Sequence, residues 1–173
     1  MEIRKATLAD ARGIARVHVD SWLATYKGIV PDAYLNQLNY GARERLWNEN
    51  LKADNNFVAV NEDGEVIGFA DGGKERTGKY AAFEGELYSI YILPQSQGQG
   101  IGVSLLRNVV DDIRQKGMNS LLVWVLADNR SRGFYEKFGG QEVDRKAVTI
   151  SGKELIEIAY GWQDCRELKK HLT

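Results

Sequence analysis

A single cysteine, Cys165, stands in 173 residues, so no internal disulfide can form. That sparing use of cysteine is what a reducing cytoplasm favours, and it places the chain there as an expectation. With charged neighbours near the chain's end, Cys165 reads as an ordinary thiol rather than a nucleophile. No stretch approaches the ~20 apolar residues of a membrane-spanning helix. The opening "MEIRKATLADARGIA" lacks the apolar run of a signal peptide. Excess positive charge is missing too. With 23 Lys and Arg against 24 Asp and Glu, the net charge is −1 and the pI about 6.2, which gives no reason to expect nucleic acid as a partner. There is no repeat, linker or low-complexity segment, and no metal site is expected. What remains is one domain spanning 1–173. Its hydrophobic content of 43% and charged content of 27% suit a globular protein that buries its own core.

The apolar pattern orders the chain. "EIRKA" (2–6) reads as a first strand. Thr7 and Asp10 form an N-capping box for a helix from Leu8 to Tyr26, with Ile14, Val17, Ser21, Trp22 and Thr25 on one face. Pro31 opens a second helical region, and 42–51 continues it. Strands at 56–60 and 65–73 flank the turn "NEDG". A polar segment, 74–85, is expected to be mobile. An aromatic and β-branched strand follows at 86–93 and ends at Pro94. Ile101, Leu105, Leu106, Val109, Val110 and Ile113 then recur at helical spacing up to Gly117. Asp111 and Asp112 on that helix read as solvated. "LLVWVL" (121–126) is apolar throughout, as a strand buried on both faces is. Asn129 or Asp128 caps a short helix, 130–138, in which Phe134 should face the core. Two final strands, 142–150 and 154–162, form a hairpin around "SGK". His171 falls in a frayed tail. The order is strand, helix, helix, three strands, helix, strand, helix, two strands. That is an α/β (α+β) domain, with one mixed, mostly antiparallel sheet of about seven strands flanked by helices.

"LPQSQGQGIGVSLL" (93–106) carries the chemistry. Gly98, Gly100 and Gly102 stand where a strand hands over to a helix. A helix start leaves about four main-chain N–H groups unpaired and carries partial positive charge. Glycine lets a bulky anion approach that backbone closely. The pattern therefore points to a phosphate or diphosphate held by main-chain amides. The spacing G-x-G-x-G is not the dinucleotide fingerprint G-x-G-x-x-G, and no Gly-Lys-Ser/Thr follows as a nucleoside triphosphate loop requires.

Gln97-Gly98-Gln99-Gly100-Ile101-Gly102 resembles the Q/R-x-x-G-x-G/A motif of the GNAT superfamily of N-acetyltransferases. "NRSRGFYEKFG" (129–139) is similar to that family's second signature, N-x-x-A-x-x-F-Y-x-K-x-G. The element order agrees over nearly the whole chain. There are two departures. Arg132 stands where the family has alanine, and Gly139-Gly140 replaces its closing Gly-Phe.

The resemblance implies acetyl-CoA as cofactor, with its pantetheine arm between splayed strands 86–93 and 121–126 and its diphosphate on residues 97–102. It implies a main-chain N–H near Ile90 as the oxyanion donor, and main-chain bonds from Ile92 to the arm. It also implies that Tyr135 protonates the leaving thiolate. A thiol pKa of about 8.5 against about 10 for tyrosine keeps that phenol protonated at pH 7. Asn129 is both a helix cap and a partner for the arm. An alkyl ammonium, with a pKa near 10.4, must lose a proton before it attacks. Glu86, eleven residues before Gln97, is the base that some family members carry; Glu84 is a rival, and a water chain without a dedicated base stays open. Trp22 and Tyr26, with Tyr34 and Tyr88 as partners, are either aromatics packed into the core or a wall for the acceptor amine, where a cation–π contact contributes roughly 0.5–2 kcal/mol. His18 reads as a packed histidine. The acceptor is a small-molecule amine or a peptide amine. Homodimers are common in the family, but no feature of this sequence shows one. Two other readings stay open: a non-catalytic acyl-CoA-binding sensor and a nucleotide-binding oxidoreductase.

Overall fold

The computed structural model describes residues 1–173. Seven strands form one sheet: β1 (Glu2–Lys5), β2 (Asn56–Val60), β3 (Val66–Lys74), β4 (Gly85–Ile92), β5 (Leu121–Leu126), β6 (Gln141–Ile150) and β7 (Lys153–Trp162). Their order is β1-β2-β3-β4-β5-β7-β6. Every pairing is antiparallel except β4 with β5. The helices are α1 (Ala11–Tyr26), α2 (Asp32–Leu35), α3 (Tyr40–Asn50), α4 (Ile101–Gln115), α5 (Arg132–Lys137) and α6 (Cys165–His171). A 3-10 turn over Leu8–Asp10 precedes α1, and Thr7 and Asp10 form the expected capping box. No helix is long and apolar enough to cross a membrane.

Two layers cover the sheet. On one face α4 buries Leu105, Leu106, Val109, Val110 and Ile113 against Ala70, Leu87, Leu121 and Val123. On the other, α1 and α3 bring Ile14, Val17 and Trp47 onto Val58 and Phe69. Each such side chain contributes roughly 1.5–3 kcal/mol by leaving water.

The strand that matters most is β4. It pairs with β5 only at Gly85–Leu87 against Leu121–Val123. Opposite Asp71 and Gly72 of β3 its register slips, so that Tyr88 faces no partner residue. A bulge of this kind bends a strand and raises its twist. Here it carries the rest of β4 away from β5, and the sheet opens into a split.

Four expectations need correction. First, residues 75–84 are tied down rather than loose. The Glu75 carboxylate accepts from the N–H groups of Thr77 and Gly78, and Phe83 is buried against Leu122 and Ala159. Second, Asp112 is buried at 6% exposure, held by Lys116 at 2.6 Å and Lys5 at 3.5 Å, while Asp111 pairs with Lys169 at 2.6 Å. Third, His171 belongs to the last turn of α6. That helix is capped by Asp164, which accepts from the Arg166 N–H, and it docks Cys165, Leu168 and Leu172 into the α4 layer. Fourth, Asn129 sits ahead of α5 in a turn of its own, and the residue just before that helix is Ser131.

Candidate active site

The shape of the loop between β4 and α4 follows from its glycines. After β4, a 3-10 turn at Pro94–Ser96 reverses the chain, and Gly98 (φ +75) and Gly100 (φ +78) take left-handed conformations. A Cβ at either would meet nothing within 4 Å, so backbone geometry rather than crowding requires glycine there. Gly102 is different, since its Cβ would press on Ile92 at 3.3 Å and Phe134 at 3.4 Å. The first N–H of α4 with an acceptor is that of Ser104, which donates to Gly100 O at 3.1 Å. The six N–H groups of residues 98–103 donate to no atom of the protein. Gln97 turns back to Ile92 O at 3.1 Å, and Gln99 stays exposed outside the cleft. Six free donors at the positive end of a 15-residue helix form a cradle for an anion with several oxygens.

The split between β4 and β5 becomes a cleft of about 1040 Å³. Ile90, Tyr91 and Ile92 form one wall, and Asn129, Phe134 and Tyr135 stand on the other. Gly98, Gly100, Ile101 and Gly102 close one end, and Ser21 and Thr25 of α1 reach in from the opposite layer. Beyond Leu87 no strand pairs with the β5 side of β4, so its main-chain groups face the cleft. A long polar arm ending in a diphosphate therefore fits the shape and the donors of this site. The cradle takes the anion, and the open strand edge takes amides.

Tyr135 hangs from α5 at the far wall. It is 5% exposed, stacked on Tyr160 and edge-on to Trp162. Burial, with the neighbouring Tyr26, pushes its phenol well above the ordinary tyrosine pKa, so it keeps its proton. Asn129 is shared. Its Oδ1 accepts from the Ser131 N–H at 2.9 Å, and its Nδ2 donates to the Tyr26 hydroxyl at 3.1 Å. The surroundings of the two departures from the family pattern are plain. Arg132 donates to Ala127 O at 3.0 Å on the surface. At Gly140 a Cβ would meet the Trp162 ring at 2.8 Å and Tyr135 O at 2.9 Å, so a side chain has no room there.

The aromatic wall divides. Trp22 packs on Tyr26 (4.3 Å between ring centroids) and on Tyr34 (5.7 Å), and with Leu126 and Leu155 they form one apolar cluster. Tyr88 does not join it. Its ring lies 4.4 Å under the Arg76 guanidinium, and its hydroxyl donates to Lys74 O at 2.6 Å. Glu86 is also outside the cleft lining. It is 2% exposed, and both of its oxygens are taken, one by the Arg76 guanidinium at 2.6 Å and one by the Arg76 N–H at 3.1 Å. Glu84 accepts from the Asn119 N–H at 2.7 Å. His18 accepts from Trp47 Nε1 at 3.0 Å and stacks on Tyr91; burial drives its pKa down to about 4, so it is neutral at pH 7. Cys165 is buried, and burial raises its thiol to about 11, which makes it inert.

One residue of this face escaped the sequence reading. Asp71 of β3 is partly buried opposite Ser89, whose hydroxyl donates to it. The only signal was a carboxylate in an otherwise apolar strand, "VIGFADGG".

Comparison with known proteins agrees with this geometry. Residues 19–140 match the Acetyltransferase (GNAT) family. The chain is 42% identical to the uncharacterised N-acetyltransferase YuaI of Bacillus subtilis over 99% of this chain and 98% of that one. It is 28% identical to the spermidine N(1)-acetyltransferase of Thermoplasma acidophilum, over 80% of this chain and 87% of that one. The crystal structure of the PaiA N-acetyltransferase of Thermoplasma acidophilum in complex with coenzyme A superposes with a TM-score of 0.69 at 27% identity, covering 90% of this chain and 96% of that one. The chain belongs to the GNAT family of acetyltransferases, which makes it an acyltransferase with acetyl-CoA as its cofactor.

Proposed function

We propose that the protein moves the acetyl group of acetyl-CoA to a primary amine by direct attack within a ternary complex. The observation that carries this reading is the row of six unpaired N–H groups at residues 98–103, placed at the end of a cleft that holds a protonated, buried Tyr135. Acetyl-CoA supplies an acetyl thioester. Residues 98–103, with Gln97 beside them, hold the diphosphate, and the free edge of β4 at Ile90 and Ile92 aligns the arm through main-chain bonds. A main-chain N–H at the bulged part of β4 would serve as the donor that stabilises the charge developing on the thioester oxygen. Tyr135 Oη gives its proton to the sulfur as it leaves. Asn129 orients the arm while its bond to Tyr26 fixes α1 against the loop before α5.

The acceptor enters from the α1 face, the side that presents Trp22, Tyr34 and Tyr91. The non-catalytic sensor reading has no observation in its favour. Thiol release measured over a panel of spermidine, amino acids and peptides with free N-termini tests the proposal. Acetyl-CoA-dependent release with at least one primary amine supports it. Tight CoA binding with no release across the panel contradicts it and favours the sensor.

A further inference from the structure

The proposed reaction needs a group to take a proton from the acceptor ammonium, and the residue expected to do so is engaged elsewhere. Both Glu86 oxygens are held by Arg76. Arg76 would have to swing away before Glu86 could act.

Asp71 stands beside that pair with a different set of partners. Strand alternation puts Ala70 and Leu87 on the α4 face, so Asp71, Glu86 and Ser89 share the opposite face, where the acceptor enters. Asp71 pairs with Ser89, one residue before Ile90, the point at which β4 begins to line the cleft. It is also the point at which the β4 register slips and the sheet splits. The Ser89 hydroxyl donates to Oδ1, and no cation forms an ion pair with Asp71, because Arg76 is committed to Glu86. The residue is partly buried and, like Glu86, is not among the residues that line the cleft; it borders that lining through Ser89, the neighbour of Ile90.

We infer that the Asp71 carboxylate is the general base, taking a proton directly from the ammonium of the acceptor while Glu86 holds Arg76 in place. This inference rests on the acetyl-transfer reading above. One N–H bond of the ammonium breaks and an O–H bond forms on Asp71. The freed nitrogen lone pair forms the C–N bond as the C–S bond breaks. The nitrogen sheds a second proton to solvent, and Tyr135 Oη, which has given its proton to the sulfur, takes one back from solvent.

The surroundings suit that task. Burial raises the Asp71 carboxyl to about 6, against the pull of Ser89 and of Arg76. Tyr88 stands next to it on β4, and Arg76 reaches it from the 75–84 segment. On the same face α1 brings His18, which is neutral. Across the split Lys146 lies 4.0 Å over Trp124, next to Glu157. A base with a pKa near the working pH is ionised at neutrality and still basic enough to accept a proton.

The test compares the wild type, Asp71→Asn and Glu86→Gln with two amines. One is spermidine, or the best amine of the panel. The other is 2,2,2-trifluoroethylamine, which is already neutral at about pH 7.5. CoA affinity and Tm are measured on each protein. With the basic amine, Asp71→Asn is expected to lose about 100-fold or more in kcat. The bend of its kcat/KM profile near pH 6 disappears, leaving a rate that climbs with the free-amine fraction. With the weakly basic amine the loss shrinks to a few-fold, because no proton has to be removed. CoA affinity is unchanged, and Glu86→Gln keeps the bend. A wild-type-like rate and profile in Asp71→Asn overturns this inference alone, as does an equal loss with both amines. A wild type that turns over no amine overturns the acetyl-transfer reading and this inference with it.

Discussion

Replacing Gly100 with glutamate tests the anion cradle, because the structure separates the charge from everything else the change does. Gly100 has φ +78, so any side chain there costs about 1–2 kcal/mol of stability. Gly100→Gln carries that cost as well. A Cβ at this position meets nothing within 4 Å, so neither variant forces its neighbours apart. The difference between them is one negative charge beside the N–H groups of residues 98–103. At about 5 Å from a single phosphate charge, with an effective dielectric near 20, repulsion is about 3 kcal/mol, or roughly 200-fold in affinity. Calorimetric titration with coenzyme A at about 0.1 M salt, where the Debye length is about 10 Å, reads the difference without screening it away. The expected result is binding by Gly100→Gln with modest loss and near-abolition in Gly100→Glu, at matching Tm. Equal affinities in the two folded variants would refute the cradle.

Other outcomes follow from the same geometry. Tyr135→Phe keeps the stack on Tyr160 and removes only the proton donor. Its kcat should fall about 10–100-fold with CoA affinity intact, as stopped-flow thiol release would show. Asp71 has its folded pKa raised from 3.8 to about 6, so the stability it contributes is complete below pH 3.8 and lost as pH rises through 6. Asp71→Asn should therefore raise stability at pH 8 by about 1–2 kcal/mol, or roughly 2–8 °C in Tm, and leave it unchanged near pH 3.5. His18 has the opposite sign. Its pKa is lowered from 6.5 to about 4, so its contribution is complete above pH 6.5 and lost as pH falls toward 4. In an Asp71→Asn background, urea unfolding should show a loss of about 2 kcal/mol between pH 7.5 and pH 4, and His18→Gln should remove that slope.

Most of the scaffold is legible in the sequence, because its signals are local. Strand alternation, the Thr7–Asp10 box, the α4 stripe and the glycine spacing depend on residues within one or two turns of each other. The parts that were missed depend on distant partners or on weak local signals. Asp112 looks solvated next to Asp111, yet Lys5 comes from β1 to meet it. The 75–84 segment looks loose until Phe83 finds Leu122 and Ala159. The commitment of Glu86 depends on where that segment puts Arg76. Helix α6 could have been read from Asp164 as cap and from Cys165, Leu168 and Leu172 on one face, but at seven residues its periodicity is short. The departure at Gly140 depends on β7, whose Trp162 ring leaves no room for a side chain there. For the candidate site, the residues of the anion cradle, 98–103, stand together in sequence. Those proposed for the acceptor end come from β3, β4, α1 and a loop.

The claim on which all of this depends is that the amides of residues 98–103 hold the diphosphate. Amide resonances of ¹⁵N-labelled protein, followed as coenzyme A is added and then in a separate titration with pantetheine, test it most directly. The account predicts large shifts of Gly98, Gly100 and Gly102 with coenzyme A and little movement of them with pantetheine, which lacks the diphosphate. Glycine amides that stay in place while coenzyme A binds would contradict it.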